Sequence, residues 1–253
     1  MVDVGIVLIE KMKIHLEEMR WNLSARSILT RILNIIRRRH FVPRLVGNTL
    51  NLMILRQHQI HEGEPHMRPY FTIKRNEIFL DIGASIGAYT CELAPKCEEV
   101  HAWEPNPRNI SILEINTKKI RNVIVHYEAL GDEDGRLPLF LSKMPGFSGF
   151  VVGQTTDYTG RFVYVPVKRL DSYTFQGRIG LIKIDTEGYE VPVVRGALRT
   201  IHEHKPKLIL EMHKPYEKEA MEIKELLTNY KWKRVFKEKS NGNNQFHLVG
   251  VAE

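Results

Sequence analysis

Cysteine is scarce. The 253 residues hold two, Cys91 and Cys97, without the CxxC or ligand spacing of a redox or zinc site. Both fall on or just after a helical stretch, where a thiol packs as a small apolar group. So little cysteine also fits a reducing compartment. Long apolar runs are absent too, and none nears the about 20 residues of a membrane-spanning helix. Residues 4–9 are too few for a secretory core and lack a basic leader and a small-residue cleavage site, so a cytoplasmic protein is expected. A third absence is local: residues 20–61 contain no Asp, Glu or Lys, yet hold eight arginines, from Arg20 to Arg56. That stretch carries +8 in a chain of net charge +7, which leaves −1 for the remainder. With 43% hydrophobic residues the chain has enough apolar mass for a core, which excludes disorder. Its length suits one α/β domain with an extension.

A missing glycine separates two ligand classes. Ile78, Phe79, Leu80 and Ile82 read as a buried strand that ends in Asp81, Gly83 and Gly87, with a helical pattern following. A dinucleotide turn needs G-x-G-x-x-G, so that a pyrophosphate can rest on the helix N-terminus. Here Ser85 occupies the middle position, and D-x-G-x-x-x-G suits a ligand without a pyrophosphate, such as S-adenosylmethionine. Gly83 and Gly87 permit a sharp turn and a close approach. Asp81 is placed to meet a cofactor ammonium or to order water around it. About twenty residues past the glycines, the strand of residues 100–103 ends in Glu104, whose carboxylate can accept from both ribose hydroxyls. Pro105 stops that strand, and residues 109–119 read as a helix.

Residues 123–130 read as a third strand whose end flanks an adenine. Residues 137–141 and 163–167 suggest an inserted β excursion, and the glycine-rich 146–153 a loop near the active site. Residues 179–184 form another buried strand. Lys183 and Asp185 are two apart and project to one side of it. Residues 207–213 repeat this with Glu211 and His213. Charges there are costly unless they act at a strand's open end or are simply paired with one another. Helices follow at 192–201 and 221–229, and Asn241-Gly242 turns a hairpin between 232–236 and 246–251. A parallel α/β sheet finished by an antiparallel hairpin is the expected layout.

Upstream, residues 2–19 read as a helix. A second carries Ile28, Leu29, Ile32, Leu33 and Ile36 on one stripe, and Pro43 ends it. Residues 1–47 therefore form an arginine-rich helical extension to a domain over 48–253. Three readings stay open: a helical cap with solvated arginines, a clamp for RNA or an anionic acceptor, or a helix lying on an anionic membrane. His58, His61 and His66, with Glu62 and Glu64 among them, lack the spacing of ligand sets. A loop folding over the pocket is expected there, and no metal.

Taken together, residues 79–90 (FLDIGASIGAYT), 103–106 (WEPN), 181–197 (LIKIDTEGYEVPVVRGA) and 208–213 (LILEMH) resemble the FkbM-type S-adenosylmethionine-dependent methyltransferases. Ser85 stands where an asparagine is usual, and the Glu64-Pro65 pair resembles the family's acidic-proline pair. The resemblance runs from about residue 50 to the C-terminus and leaves the arginine stretch outside. It implies a class I methyltransferase fold, Rossmann-like, with a mostly parallel seven-stranded sheet, and O-methylation of a hydroxyl on a sugar, glycan or small metabolite. Cofactor contacts are expected from Glu64, Asp81, Gly83, Ala84, Ser85, Gly87, Glu104, Pro105, Asn106, Ala129, Leu130, Asp185 and Glu187. Asp185 lies between cofactor and acceptor. Asp185 or His213 is the expected base, with Lys183 and Glu211 beside them. Two alternatives stand: an RNA ribose methyltransferase, and a non-catalytic cofactor binder tethered to a membrane or partner. Oligomers are compatible with either. If the arginines clamp RNA, filter binding should weaken steeply as salt rises, whereas a salt-independent affinity would exclude the clamp.

Overall fold

The computed structural model describes residues 65–253, apart from Met144, Gly153, Gln154, Thr156, Lys214, Pro215 and 237–245. The arginine-rich extension, Glu64, His58, His61 and the Asn241-Gly242 turn lie outside the described residues.

The organising element is a seven-stranded sheet. Its strands are β1 (Glu77–Ile82), β2 (Glu99–Trp103), β3 (Val123–His126), β7 (Arg178–Ile184), β8 (Lys207–Glu211), β9 (Tyr230–Phe236) and β10 (Phe246–Ala252), in the order β3-β2-β1-β7-β8-β10-β9. The first five run parallel, and β10 is antiparallel to both β8 and β9. This Rossmann-like arrangement matches the expected class. All six residues of β1 are buried, as required of a central parallel strand covered on both faces.

Alternation along the strands divides the core in two. Leu80, Ile82, Ile182, Ile184, Leu208 and Leu210 pack with Val193, Ile201 and Ile223 from the helices α3 (Glu190–Arg195), α4 (Leu198–His204) and α5 (Tyr216–Leu226). Phe79, Leu181, Ile209 and Val249 face the other way, against Met67 and against Leu93 of α1 (Ala88–Leu93). Asp81, Lys183 and Glu211 share the parity of this second face and continue it at the strand ends. α2 (Pro107–Thr117) starts with Pro107 at its first turn and Asn106 as its cap, whose side chain accepts from the Arg108 N–H. Cys91 and Cys97 are buried free thiols, and burial pushes Cys97 up to about 11.

Two elements differ from expectation. Residues 123–130 are not one strand: β3 pairs with β2, and β4 (Ala129–Leu130) joins a second sheet beside β6 (Tyr158–Lys168) and β5 (Gly135–Ser142). The chain leaves the large sheet at its edge, where Tyr127 is half exposed. Residues 192–201 are not one helix either. α3 stops at Gly196, whose carbonyl accepts from the Asp171 N–H at 2.9 Å, and a Cβ at Gly196 would lie 1.8 Å from the Gly131 carbonyl oxygen. Asp171 then caps the next helix, accepting at 2.8 Å from the Thr200 N–H and at 3.0 Å from the Arg199 N–H. Among the described residues no helix is long and apolar enough to cross a membrane.

The tight backbone approach at Gly196 gives a direct test. Gly196→Ala should lower the denaturant midpoint by the equivalent of about 3 kcal/mol with an unchanged slope. An unaltered midpoint would mean that the two segments are free to separate.

Candidate active site

The open ends of β1, β2 and β7 meet the second sheet around a cleft of ≈ 570 Å³, counted to its mouth. Its walls include Gly83, Ser85, Glu104, Pro105, Ala129, Leu130, Asp185 and Glu187. The sequence named all of these.

The floor is the glycine turn. Gly83 has φ +76°, and a Cβ there would meet the Asp185 carbonyl oxygen at 1.8 Å. The Gly83 and Ala84 N–H groups donate to the Trp103 carbonyl at 3.0 and 2.9 Å, which ties the turn to β2. Gly87 also has positive φ, +85°, and packs on Leu113. Ser85 sits at φ 52°. Its N–H donates at 2.8 Å to Oε2 of Glu104, and the Asn106 N–H donates at 2.8 Å to Oε1. Glu104 is 5% exposed. Burial lifts its carboxyl to about 7 against the pull of those two donors. The Asn109 side chain donates to the same carboxyl, and with three donors on its four lone-pair sites the group keeps room to accept from a ligand hydroxyl.

Asp81 is not on the cleft wall. It is fully buried beneath the turn, where Oδ2 accepts from the Thr90 hydroxyl at 2.6 Å and Oδ1 lies 3.7 Å from Lys183 Nζ. A direct contact with a cofactor ammonium is thereby replaced by support of the turn. Ala84 and Asn106 are likewise buried. The Asn106 side chain donates to Ser148 Oγ at 3.2 Å.

Lys183 bridges β1 and β7. Its Nζ is 3.1 Å from Asp185 Oδ2 and 3.4 Å from the Gly83 carbonyl, and it lies over the Tyr89 ring. Burial favours its neutral form, but Asp185 and Asp81 outweigh that and raise its pKa. Burial likewise raises Asp185, with Lys183 as a partial offset. Glu187 is pushed up to about 8, chiefly by burial, with Asp185 and Glu211 adding to the lift against His213.

His213 is not a free base. Its Nδ1 is 3.1 Å from Glu190 Oε1 and its Nε2 3.5 Å from Glu187 Oε2. Burial would lower its pKa, yet Glu190 and Glu187 raise it well above the ordinary value, which favours the protonated ring. Glu211 faces His247, 3.7 Å away, and does not line the cleft. Glu190 was missed by sequence reasoning. It is wholly buried, and its Oε1 also accepts from the Thr186 N–H and hydroxyl and the Gly188 N–H. Its position five residues past Asp185 was a faint signal at best. Gly146, Ser148 and Phe150 also line the cleft, from the glycine-rich stretch expected near the active site, whereas Asn109 of α2 reaches it only through tertiary folding.

The Methyltransferase FkbM domain matches residues 81–237, from the buried Asp81 to just beyond β9. The chain belongs to the FkbM methyltransferase family. Methyltransferase 1 of Beauveria bassiana (strain ARSEF 2860) is 29% identical over 145 residues, 48% of this chain and 58% of that protein. The crystal structure of Methyltransferase FkbM from Methylobacillus flagellatus KT superposes with a TM-score of 0.54 at 21% identity, covering 81% of this chain and 53% of that one. The chain thus spans less than two thirds of either relative. The second comparison supports the shared fold.

In this FkbM chain, Glu104 makes stability depend on pH. Its folded pKa of about 7 is above the ordinary 4.5. Its contribution is therefore fully present below about pH 4.5 and is lost as pH rises through about 7, a swing of about 3 kcal/mol. Urea titrations between pH 4 and 8 should show the ligand-free wild type losing stability relative to Glu104→Gln across that window. Parallel profiles would place the carboxyl in a more polar setting.

Proposed function

We propose that the protein is an S-adenosylmethionine-dependent O-methyltransferase acting on a hydroxyl of a sugar, glycan or small metabolite. The observation that carries this is that Glu104 and Asp185, at the ends of two strands, line one cleft. The residues fit the cofactor. Glu104 offers its carboxyl at the strand end as an acceptor to the ribose hydroxyls. Ala129, Leu130 and Leu139 supply an apolar wall for a flat base, and the turn at Gly83 lets the ligand pass close to the backbone. When bound, the cofactor supplies a methyl group on a positively charged sulfur.

The chain's own part is placement and charge. Transfer needs the acceptor oxygen, the methyl carbon and the sulfur in line, and holding them so removes much of the barrier. Asp185 faces the acceptor side and takes the hydroxyl proton as the new bond forms. Lys183 fixes that carboxylate by its 3.1 Å contact and steadies the negative charge that builds on the acceptor oxygen. His213, clamped by Glu187 and Glu190, holds the loop after β7 in position.

Incubation with methyl-labelled S-adenosylmethionine and separate glycan, metabolite and RNA fractions tests this. Label is expected in alkali-stable ethers of the first two, and label confined to RNA would establish the ribose alternative. Asp185→Asn should cut kcat by about 10²-fold or more while cofactor affinity by calorimetry changes little. Full turnover in that variant would remove Asp185 from its role.

A further inference from the structure

The loop after β7 and the end of β8 bring together a set that the acid–base chemistry does not exhaust. Ligand atoms of Asp185, Glu187 and His213 all lie within 4.8 Å of one another, and Asp185 and Glu187 open onto the cleft. We propose that these three residues form a divalent-cation site at the acceptor end of the cleft.

Three observations besides proximity support it. First, the imidazole is oriented as a ligand would be. Nδ1 is 3.1 Å from the buried Glu190 carboxylate, and Nε2 points to Glu187 across 3.5 Å. A carboxylate behind a histidine fixes its ring and strengthens its other nitrogen as a donor to metals. Second, carboxyls outnumber cations. Among the described residues, the four carboxyls of Asp81, Asp185, Glu187 and Glu190 meet two cationic side chains: Lys183 contacts the first pair and His213 the second. Third, Glu190 is 0% exposed and abuts the set through Oε1, yet its Oε2 has no hydrogen-bond partner among the described residues.

Two carboxylates and one imidazole, open on the cleft side, suit an ion that accepts mixed oxygen and nitrogen donors, with Mn²⁺ the best match. On binding, the ion takes the place of the Nε2 proton, as for any imidazole ligand. An ion there offers the acceptor hydroxyl a ligand position and lowers its pKa. That use rests on the methyl-transfer reading above, whereas the binding itself does not.

Titrating Mn²⁺ into the chelator-dialysed full chain, followed by electron paramagnetic resonance, tests the site. The expected result is one saturable ion per chain with a histidine-nitrogen coupling in the pulsed spectrum. That coupling should vanish in His213→Ala, and Glu187→Gln should weaken binding about tenfold or more. No saturable site in the wild type, a site without nitrogen coupling, or an affinity indifferent to Glu187→Gln would overturn the proposal. The wild-type titration decides even if a variant fails to fold. S-adenosylmethionine calorimetry on the same sample keeps the two ideas apart. Cofactor binding without Mn²⁺ sinks the ion site alone, and Mn²⁺ binding without cofactor sinks the transfer reading.

Discussion

One buried ammonium joins the two halves of the cleft. Lys183 Nζ reaches the Gly83 carbonyl, the Asp185 carboxylate and the Asp81 carboxylate, at 3.4, 3.1 and 3.7 Å. It thereby ties the glycine turn after β1 to the loop after β7. The price of burying a cation is met because opposite charges stand on both sides of it, and removal of such a partner leaves uncompensated charge, at a cost of about 3–5 kcal/mol. The same contact explains why Gly83 must be glycine. The two loops are drawn so close that a Cβ would occupy the Asp185 carbonyl. The glycine turn and the Asp185 carboxylate are therefore held together as one unit.

Around that unit, the polar groups form a graded layer. Asp81 lies deepest, bonded to the Thr90 hydroxyl. Lys183 is next, and Asp185 and Glu187 reach the cleft. Parity explains the arrangement. Phe79 and Leu181 pack on the α1 face, so Asp81 and Lys183, two residues further along, continue that face where apolar cover ends. Glu211 pairs in register with His247 on the same face, extending the layer across the antiparallel strand. Burial and like-charge crowding then lift the carboxyls that stand nearest the cleft.

Much of this was legible in the sequence because it is local or periodic. The run from Ile78 to Ile82, the turn at Gly83 and Gly87, and Glu104 at a strand end are local patterns. The two-residue spacing of Lys183 and Asp185 fixes their common side without reference to any other strand. What was illegible depends on partners distant in the chain. Residues 123–130 look like one strand, but Ala129 and Leu130 find their partners at Val167 and Lys168. His213 looks like a strand-end base until Glu190 is placed behind it. The helix at 192–201 breaks at Gly196, which packs on Gly131 and bonds to Asp171, both distant in the chain. Asp81 could have been read correctly: its parity with Phe79 already placed it inside.

The charge at the Asp185 end of the cleft also bears on what can enter it. Asp185 and Glu187 line the cleft there, and Glu190 backs them, fully buried. An anionic group brought to that wall meets carboxylates in a poorly solvated setting, where repulsion is screened far less than in water. A neutral hydroxyl meets only hydrogen-bond acceptors. The wall therefore disfavours an anionic group such as a phosphate beside it. It would accept an anionic neighbour only with a cation between them.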